Sequence, residues 1–256
     1  MSTLSIKPKT HNIDLPAIRR VEAGHVLLWL KHGGKDLLRN WPVSLGIGVL
    51  FTLFGYLLME YAWARPHLAL TLTSGFLLVS PFLAIVFYEL SHHHETSRAL
   101  RFEGVRRNAV SVGMYALMLA FILSSWERIS AIMVGLFFEG DLLAEGGFSL
   151  ATLFAPEHLG FIIPYLLAGG VLAALVFALS VVSLPMLMDR KVDFVTALMT
   201  SLWVVRENPL PMLVWAIVIG ALMLLAELLW FVPLAVIFPL LGHATWHAYR
   251  DLVTRH

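Results

Sequence analysis

The sequence predicts an all-α membrane protein with six transmembrane helices, arranged as three parallel repeats of an interfacial helix plus a helical hairpin. Composition carries the first half of that reading. Of 256 residues, 59% are hydrophobic and only 14% are charged, and the mean hydropathy is +0.79. A soluble domain is nearer half apolar and a quarter charged. An excess of this size cannot be hidden in one small core, so lipid must solvate much of the chain. The second observation is the placement of basic residues. The third is a pattern that recurs three times.

The spans are read from apolar runs of about 20 residues, the length that crosses a bilayer at 1.5 Å per residue. Such runs lie near 42–62, 68–90, 109–126, 159–188, 209–228 and 230–249. The last two are joined by almost nothing around Leu229. Residues 1–40 are polar and basic, so no cleavable signal is expected. All but Arg65 and Arg128 of the 18 Lys and Arg residues fall in the N-terminal segment, the second and fourth loops, or the tail. By the positive-inside rule this puts both termini in the cytoplasm of a bacterial inner membrane. The segment 127–158 carries Glu127, Glu139, Asp141, Glu145 and Glu157 instead.

Each repeat opens with a cytoplasmic amphipathic stretch that ends at an asparagine. The three junctions are Arg39-Asn40-Trp41-Pro42, Arg107-Asn108-Ala109 and Arg206-Glu207-Asn208-Pro209. Asn40, Asn108 and Asn208 are read as N-caps of the spans that follow, because asparagine is a strong N-cap and proline is tolerated just inside a helix. Asp193 is read as the cap of the third amphipathic stretch. There Phe194, Ala197, Leu198, Leu202 and Val205 form one face at period 3.6. A weaker stripe of Val26, Leu27, Leu30, Leu37 and Leu38 precedes the first span, interrupted by Gly33-Gly34. The second span of each repeat carries a proline: Pro81, Pro185 and Pro239. Each proline kinks its helix and frees a backbone carbonyl that neighbouring groups must satisfy. The division that follows is a cytoplasmic segment 1–40 and a six-helix domain 41–252, with repeat units of roughly 22–94, 95–191 and 192–252.

Function is less legible. The chain has no cysteine, which excludes disulfides, thiolate metal sites and cysteine nucleophiles. The net charge of +1 argues against a nucleic-acid partner. Neither a nucleotide loop nor a serine elbow is present. His243 and His247, four apart, share a helix face and are candidates for holding a metal ion or haem. The plainer reading places both near a helix C-terminus, against its dipole and the lipid headgroups. His92-His93-His94 is a short tract that can bind metal loosely, although adjacent helical residues do not face one another. If the bundle closes, this tract and His243/His247 share the cytoplasmic side and converge. Glu89 is a candidate for an ion or proton role. Placement at a helix end, where water reaches it, is the plainer account.

The stretches 183–197 (Ser-Leu-Pro-Met-Leu-Met-Asp-Arg-Lys-Val-Asp-Phe-Val-Thr-Ala), 206–209 (Arg-Glu-Asn-Pro) and 239–252 (Pro-Leu-Leu-Gly-His-Ala-Thr-Trp-His-Ala-Tyr-Arg-Asp-Leu) carry a family likeness, as does 75–84. The chain resembles a family of proteobacterial integral membrane proteins, domain of unknown function family 2189. The likeness covers roughly 40–252. It implies six spans and a bacterial inner membrane. Some members are labelled cytochrome c oxidase subunit I-like, but an oxidase catalytic subunit needs about twice as many spans and histidines buried on several helices. The leading expectation is therefore a non-enzymatic accessory or assembly subunit of a larger membrane complex, such as a respiratory one. Its partners would be the lipid bilayer and other membrane protein subunits. The alternative is a small transporter or channel for a metal ion or proton, or a haem- or metal-binding membrane protein using His243 and His247.

Overall fold

The computed structural model describes residues 15–63, 82–95, 102–137 and 159–254. The described residues are helical almost throughout: α1 (His25–Arg39), α2 (Trp41–Trp63), α3 (82–95), α4 (Glu103–Arg107), α5 (Ala109–Phe137), α6 (Leu159–Ser180), α7 (Ser183–Asp189), α8 (Phe194–Glu207), α9 (Pro209–Leu228) and α10 (Leu234–Leu252). Among the described residues, four stretches are long and apolar enough to cross a membrane: Trp41–Leu58, Ala109–Phe137, Leu159–Asp189 and Pro209–Leu228. Most of the expected span 68–90, with Pro81, lies outside the described residues, as does the acidic segment beyond Phe137. The sixth expected span corresponds to α10, which starts at Leu234 rather than 230. The intervening turn holds Trp230 and Phe231 at φ 56° and 60°.

Three expectations about these elements need correction. The third run was bounded at 109–126, but α5 continues to Phe137, about 44 Å of helix. The polar residues Glu127 and Arg128 do not end it, because Arg128 bonds back to the Ser124 carbonyl and hydroxyl within the same helix. The fourth run is not one helix. It breaks at Val181–Val182, between α6 and α7. The Ser201 hydroxyl of α8 stands in the broken ladder: it takes the Val182 N–H (3.5 Å) and donates to the Ala178 carbonyl (2.7 Å). These two groups bond each other in an unbroken helix. A side chain inserted in this way is a recognised cause of kinking. Pro185 then sits in the first turn of α7, where its missing N–H costs little. The nearby Ser183 hydroxyl donates to Leu179 O and Ala197 O.

The amphipathic faces also differ from expectation. In α1 the buried residues are Val26, Trp29, Gly33 and Leu37, while Leu27 and Leu38 are each 71% exposed. Gly33-Gly34 does not interrupt the helix. Gly33 marks its crossing with α10, where an added Cβ would lie 2.6 Å from the Ala244 nitrogen. Tertiary packing outweighs the modest helix penalty of glycine there. In α8 the inward face is Ala197, Thr200, Ser201 and Val204. Val195, Met199, Leu202 and Trp203 are exposed. Small inward residues let α8 approach the α6–α7 break closely; of the expected face, Phe194, Leu198 and Val205 pack against the core and Leu202 points out.

The core centres on α10, which packs most extensively on α1 and α2. Trp29, Phe87, Met186, Leu187, Trp215, Trp246 and Tyr249 are fully buried within it. Pro239 lies inside α10, so the Ala235 carbonyl four residues earlier has no helical donor. That oxygen faces Gly48 of α2 so closely that a Cβ there would overlap it. Glycine at this point thus lets the α2 backbone cover the carbonyl that the proline frees.

Candidate functional site

The polar side chains converge at one end of the bundle, where α1, the end of α3, the end of α7 and the last three turns of α10 meet. Three networks can be distinguished there.

The first surrounds His243. This residue is fully buried, nine residues before the last residue of α10. Its Nε2 lies 2.9 Å from the Ser44 hydroxyl of α2, and its Nδ1 lies 2.8 Å from the Ser91 hydroxyl of α3. Both serines are fully buried. Asp36 of α1 lies beside this group. The Asp36 carboxylate receives His247 Nε2 at 2.8 Å. His32 packs its ring 5.3 Å from that of His247, and His94 pairs with the Asn40 side chain. Burial alone would raise the Asp36 carboxyl, but His247 and the neighbouring polar groups outweigh it and hold the group below its ordinary value. The sign follows from linkage. A depressed carboxylate stabilises the fold above its unfolded value of about 3.9, and that contribution is lost as pH falls through the folded value. His94 is pushed down by desolvation and then by Arg39. His32 is pushed down by desolvation and then by His247. Both therefore also favour the fold less as pH drops below about 6.5.

The second network surrounds Asp189, at the end of α7. Its Oδ2 accepts from Tyr249 Oη (2.7 Å) and Arg250 Nη1 (3.0 Å). Arg250 also pairs with Glu95 at 3.1 Å, and Trp246 Nε1 donates to Glu95 at 3.2 Å. His92 lies 3.9 Å from Asp189 and against the Trp246 ring. Arg190 donates to Tyr249 Oη and to the carbonyls of Val253 and Thr254. The third network ties the N-terminal segment to the end of α10. Asp251 binds Arg19, His25 and Trp29, and Ile18 pairs with Val253 as an isolated antiparallel bridge.

The histidines expected to converge therefore do so, but with different partners. His92 faces Asp189, His94 faces Asn40, and the His93 ring lies 5.4 Å from that of His94. Adjacent helical residues point in different directions, which is why the tract is divided. Glu89 accepts the Phe102 backbone N–H at 3.2 Å. Among the described residues no group of three or more histidine, aspartate or glutamate side chains is placed to hold a metal ion. For His243 to bind metal or haem, one of its two serine bonds must open.

The junction asparagines act differently from the expected caps. Asn208 stands at the N-cap position of α9 without a side-chain cap bond. Pro209 and Pro211 have no N–H to offer it. Its side chain instead accepts from Val21 N (2.8 Å) and donates to Arg19 O (3.2 Å). Asn108 donates to Leu187 O and Arg190 O, so it caps the C-terminal end of α7. Asn40 turns to His94. Asp193 accepts Thr196 N at 2.9 Å at the start of α8. The Asp36, Ser44 and Ser91 contacts of the two histidines were missed in the sequence, since each partner is at least 152 residues away along the chain.

Apolar helices of membrane-spanning length, with a polar end sealed by internal ion pairs, define an integral membrane protein. The model of a family described as "Predicted integral membrane protein (DUF2189)" matches residues 68–189. No curated protein and no solved structure matches the chain. The match covers the second, third and fourth expected spans and ends at Asp189. The likeness noted at 206–209 and 239–252 lies beyond it.

Proposed function

We propose that the protein is a non-enzymatic component of a bacterial inner membrane that acts by association, as an accessory or assembly subunit of a larger membrane complex, such as a respiratory one. The observation that carries this reading is the contrast between the two faces of α8. Its inward face is built on Ala197, Thr200, Ser201 and Val204, while Val195, Met199, Leu202 and Trp203 point outward. Such a face is suited to lipid or to another apolar subunit. At the same end of the bundle the carboxylates Asp36, Asp189, Glu207 and Asp251 are each paired within the chain. They serve as staples rather than as free acids or bases.

The arrangement in this reading is six spans in three parallel repeats, with both termini cytoplasmic. The three junctions support the repeat. Asn40, Asn108 and Asn208 have φ/ψ of −115°/31°, −110°/26° and −129°/53°. In each, the asparagine N–H bonds the carbonyl four residues back, and its own carbonyl accepts from the residue four ahead. A short helix thus turns into a long one through the same bend each time. The experiment is gentle solubilisation of the full chain followed by mass spectrometry of what copurifies. Stable, reproducible membrane subunits are expected. Recovery of the chain alone would contradict the association reading.

A second reading, a small transporter or channel for a metal ion or proton, is favoured by the buried serine–histidine chain. Flux in proteoliposomes that His243→Ala and His247→Ala both reduce would select it over association.

A further inference from the structure

The outward face of α1 is basic and apolar at once. Lys31, Lys35 and Arg39 stand at i, i+4 and i+8 of the helix, so they form one stripe, about 12 Å from end to end. All three are exposed. Among the described residues none of them makes an ion pair or a hydrogen bond. Leu27 continues the stripe one turn earlier and is 71% exposed, as is Leu38 beside Arg39. Trp41, the first residue of α2, is exposed as well. The opposite face of α1 is the buried one that packs on the bundle.

Like charges one turn apart repel and destabilise a helix. Asp36 is the one acid on α1, and it is taken by His247 at 2.8 Å. The next acid along the chain is Glu60, near the far end of α2. The neighbouring histidines register the excess of positive charge. His32 is pushed down by desolvation, then by His247, and after it by Lys35 and Lys31. His94 is pushed down by desolvation and then by Arg39. The other two junctions differ. On α4, Glu103 stands three and four residues before Arg106 and Arg107, and Arg107 donates to the Asp189 carbonyl. At the end of α8, Glu207 follows Arg206.

We propose that this face of α1 docks acidic phospholipid, with Lys31, Lys35 and Arg39 holding phosphate oxygens and Leu38 and Trp41 entering the apolar boundary. Charge complementarity asks for an anion, and the apolar neighbours decide which kind. The candidate span Trp41–Leu58 begins two residues after Arg39, so all three cations stand within about three turns of its start. Tryptophan favours the membrane–water interface. Lysine and arginine lay their stems along apolar surface while their heads reach phosphate. A phosphodiester headgroup supplies the charge the stripe lacks, and its acyl chains cover Leu38 and Trp41. Free phosphate would leave those side chains bare. An acidic protein surface would match the charge, but the continuity of the stripe with a span favours lipid. The inference stands apart from the association reading, because it is read on the isolated chain.

The test titrates the purified full chain, in a neutral detergent, with phosphatidylglycerol or phosphatidylcholine, and counts bound lipid by native mass spectrometry. The natural chain should prefer phosphatidylglycerol. Each basic residue near an acidic surface strengthens binding about fivefold. The triple variant Lys31→Gln/Lys35→Gln/Arg39→Gln should therefore bind phosphatidylglycerol roughly a hundredfold more weakly. The charge-matched variant Arg106→Gln/Lys191→Gln/Arg206→Gln removes three exposed cations elsewhere and should change the affinity far less. Hydrogen exchange over 25–39 should slow when phosphatidylglycerol is added to the natural chain, and not when inorganic phosphate is added. Equal affinity for the two lipids in the natural chain would overturn the proposal, whatever the variants do. So would equal losses in the two triple variants, or protection of 25–39 by inorganic phosphate. Protection that appears only with a copurified subunit would assign the face to an acidic protein and overturn it too.

Discussion

Replacing Gly48 with alanine will destabilise the bundle by at least about 3 kcal/mol, the upper end of ordinary overpacking costs. The cause is local and specific. Pro239 has no N–H for the Ala235 carbonyl, and the Gly48 backbone closes over that carbonyl. A methyl group at Gly48 would overlap the carbonyl oxygen and approach its carbon to 2.8 Å. Both atoms belong to helix backbone, so no side chain can rotate away. The α2–α10 contact must open, and the carbonyl loses the cover that the Gly48 backbone gives it. Gly46→Ala is the control. It lies on the same helix, and nothing stands within 4 Å of its Cβ position. Thermal unfolding in one detergent should show a large fall for Gly48→Ala and almost none for Gly46→Ala. Equal midpoints would mean that α2 and α10 do not meet there.

The second large effect is expected at Asp189. Its side chain is 13% exposed and that of Arg250 is 11% exposed. Removing one partner of a buried pair leaves a charge that the interior cannot solvate, at a cost of about 3–5 kcal/mol. Asp189→Ala also strips the acceptor from the fully buried Tyr249 hydroxyl. Arg250 keeps Glu95, so about 3 kcal/mol, the lower end, is expected. Glu207→Ala gives the comparison. Its partner Arg20 is 79% exposed, and pairs of that kind contribute about 1 kcal/mol or less. Unfolding midpoints for the two variants should therefore separate clearly. A Glu207→Ala effect as large as that of Asp189→Ala would show that burial does not govern these pairs.

What the sequence made legible is the part governed by neighbours along the chain. The run 209–228 coincides with α9 because Pro209 and the apolar stretch to Leu228 suffice to define it. The stretch 194–207 is helical, with Asp193 at its cap position, since the capping pattern lies within four residues. The membrane class follows from composition, which needs no tertiary knowledge. The illegible part depends on contacts across the chain. Ser201 reads as an ordinary helix serine until α6 is placed beside it and its hydroxyl enters the ladder at Val182. Gly33-Gly34 reads as an interruption because local propensity disfavours glycine, whereas the crossing with Ala244 is what requires it. His243 and His247 read as a pair by their spacing, yet they face different partners. Serines 152 and 199 residues distant hold the first, and an aspartate 211 residues distant holds the second. The expected faces of α1 and α8 are mostly inward, with Leu27, Leu38 and Leu202 as the outward exceptions, for a related reason. In lipid the large apolar residues have no need to turn inward, so periodicity marks a face without saying which way it looks.

The central claim is that the polar end of the bundle, with both termini, lies on the cytoplasmic side of an even number of spans. A chain without cysteine allows this to be tested with single introduced thiols. Lys35→Cys, Arg206→Cys and Trp230→Cys all stand at exposed positions. Labelling with a membrane-impermeant maleimide, in intact and in permeabilised cells, is the most direct measurement. The account predicts that Trp230→Cys is labelled in intact cells, and that Lys35→Cys and Arg206→Cys are labelled only after permeabilisation. Labelling of Lys35→Cys in intact cells, or Lys35→Cys and Arg206→Cys on opposite sides, would contradict it.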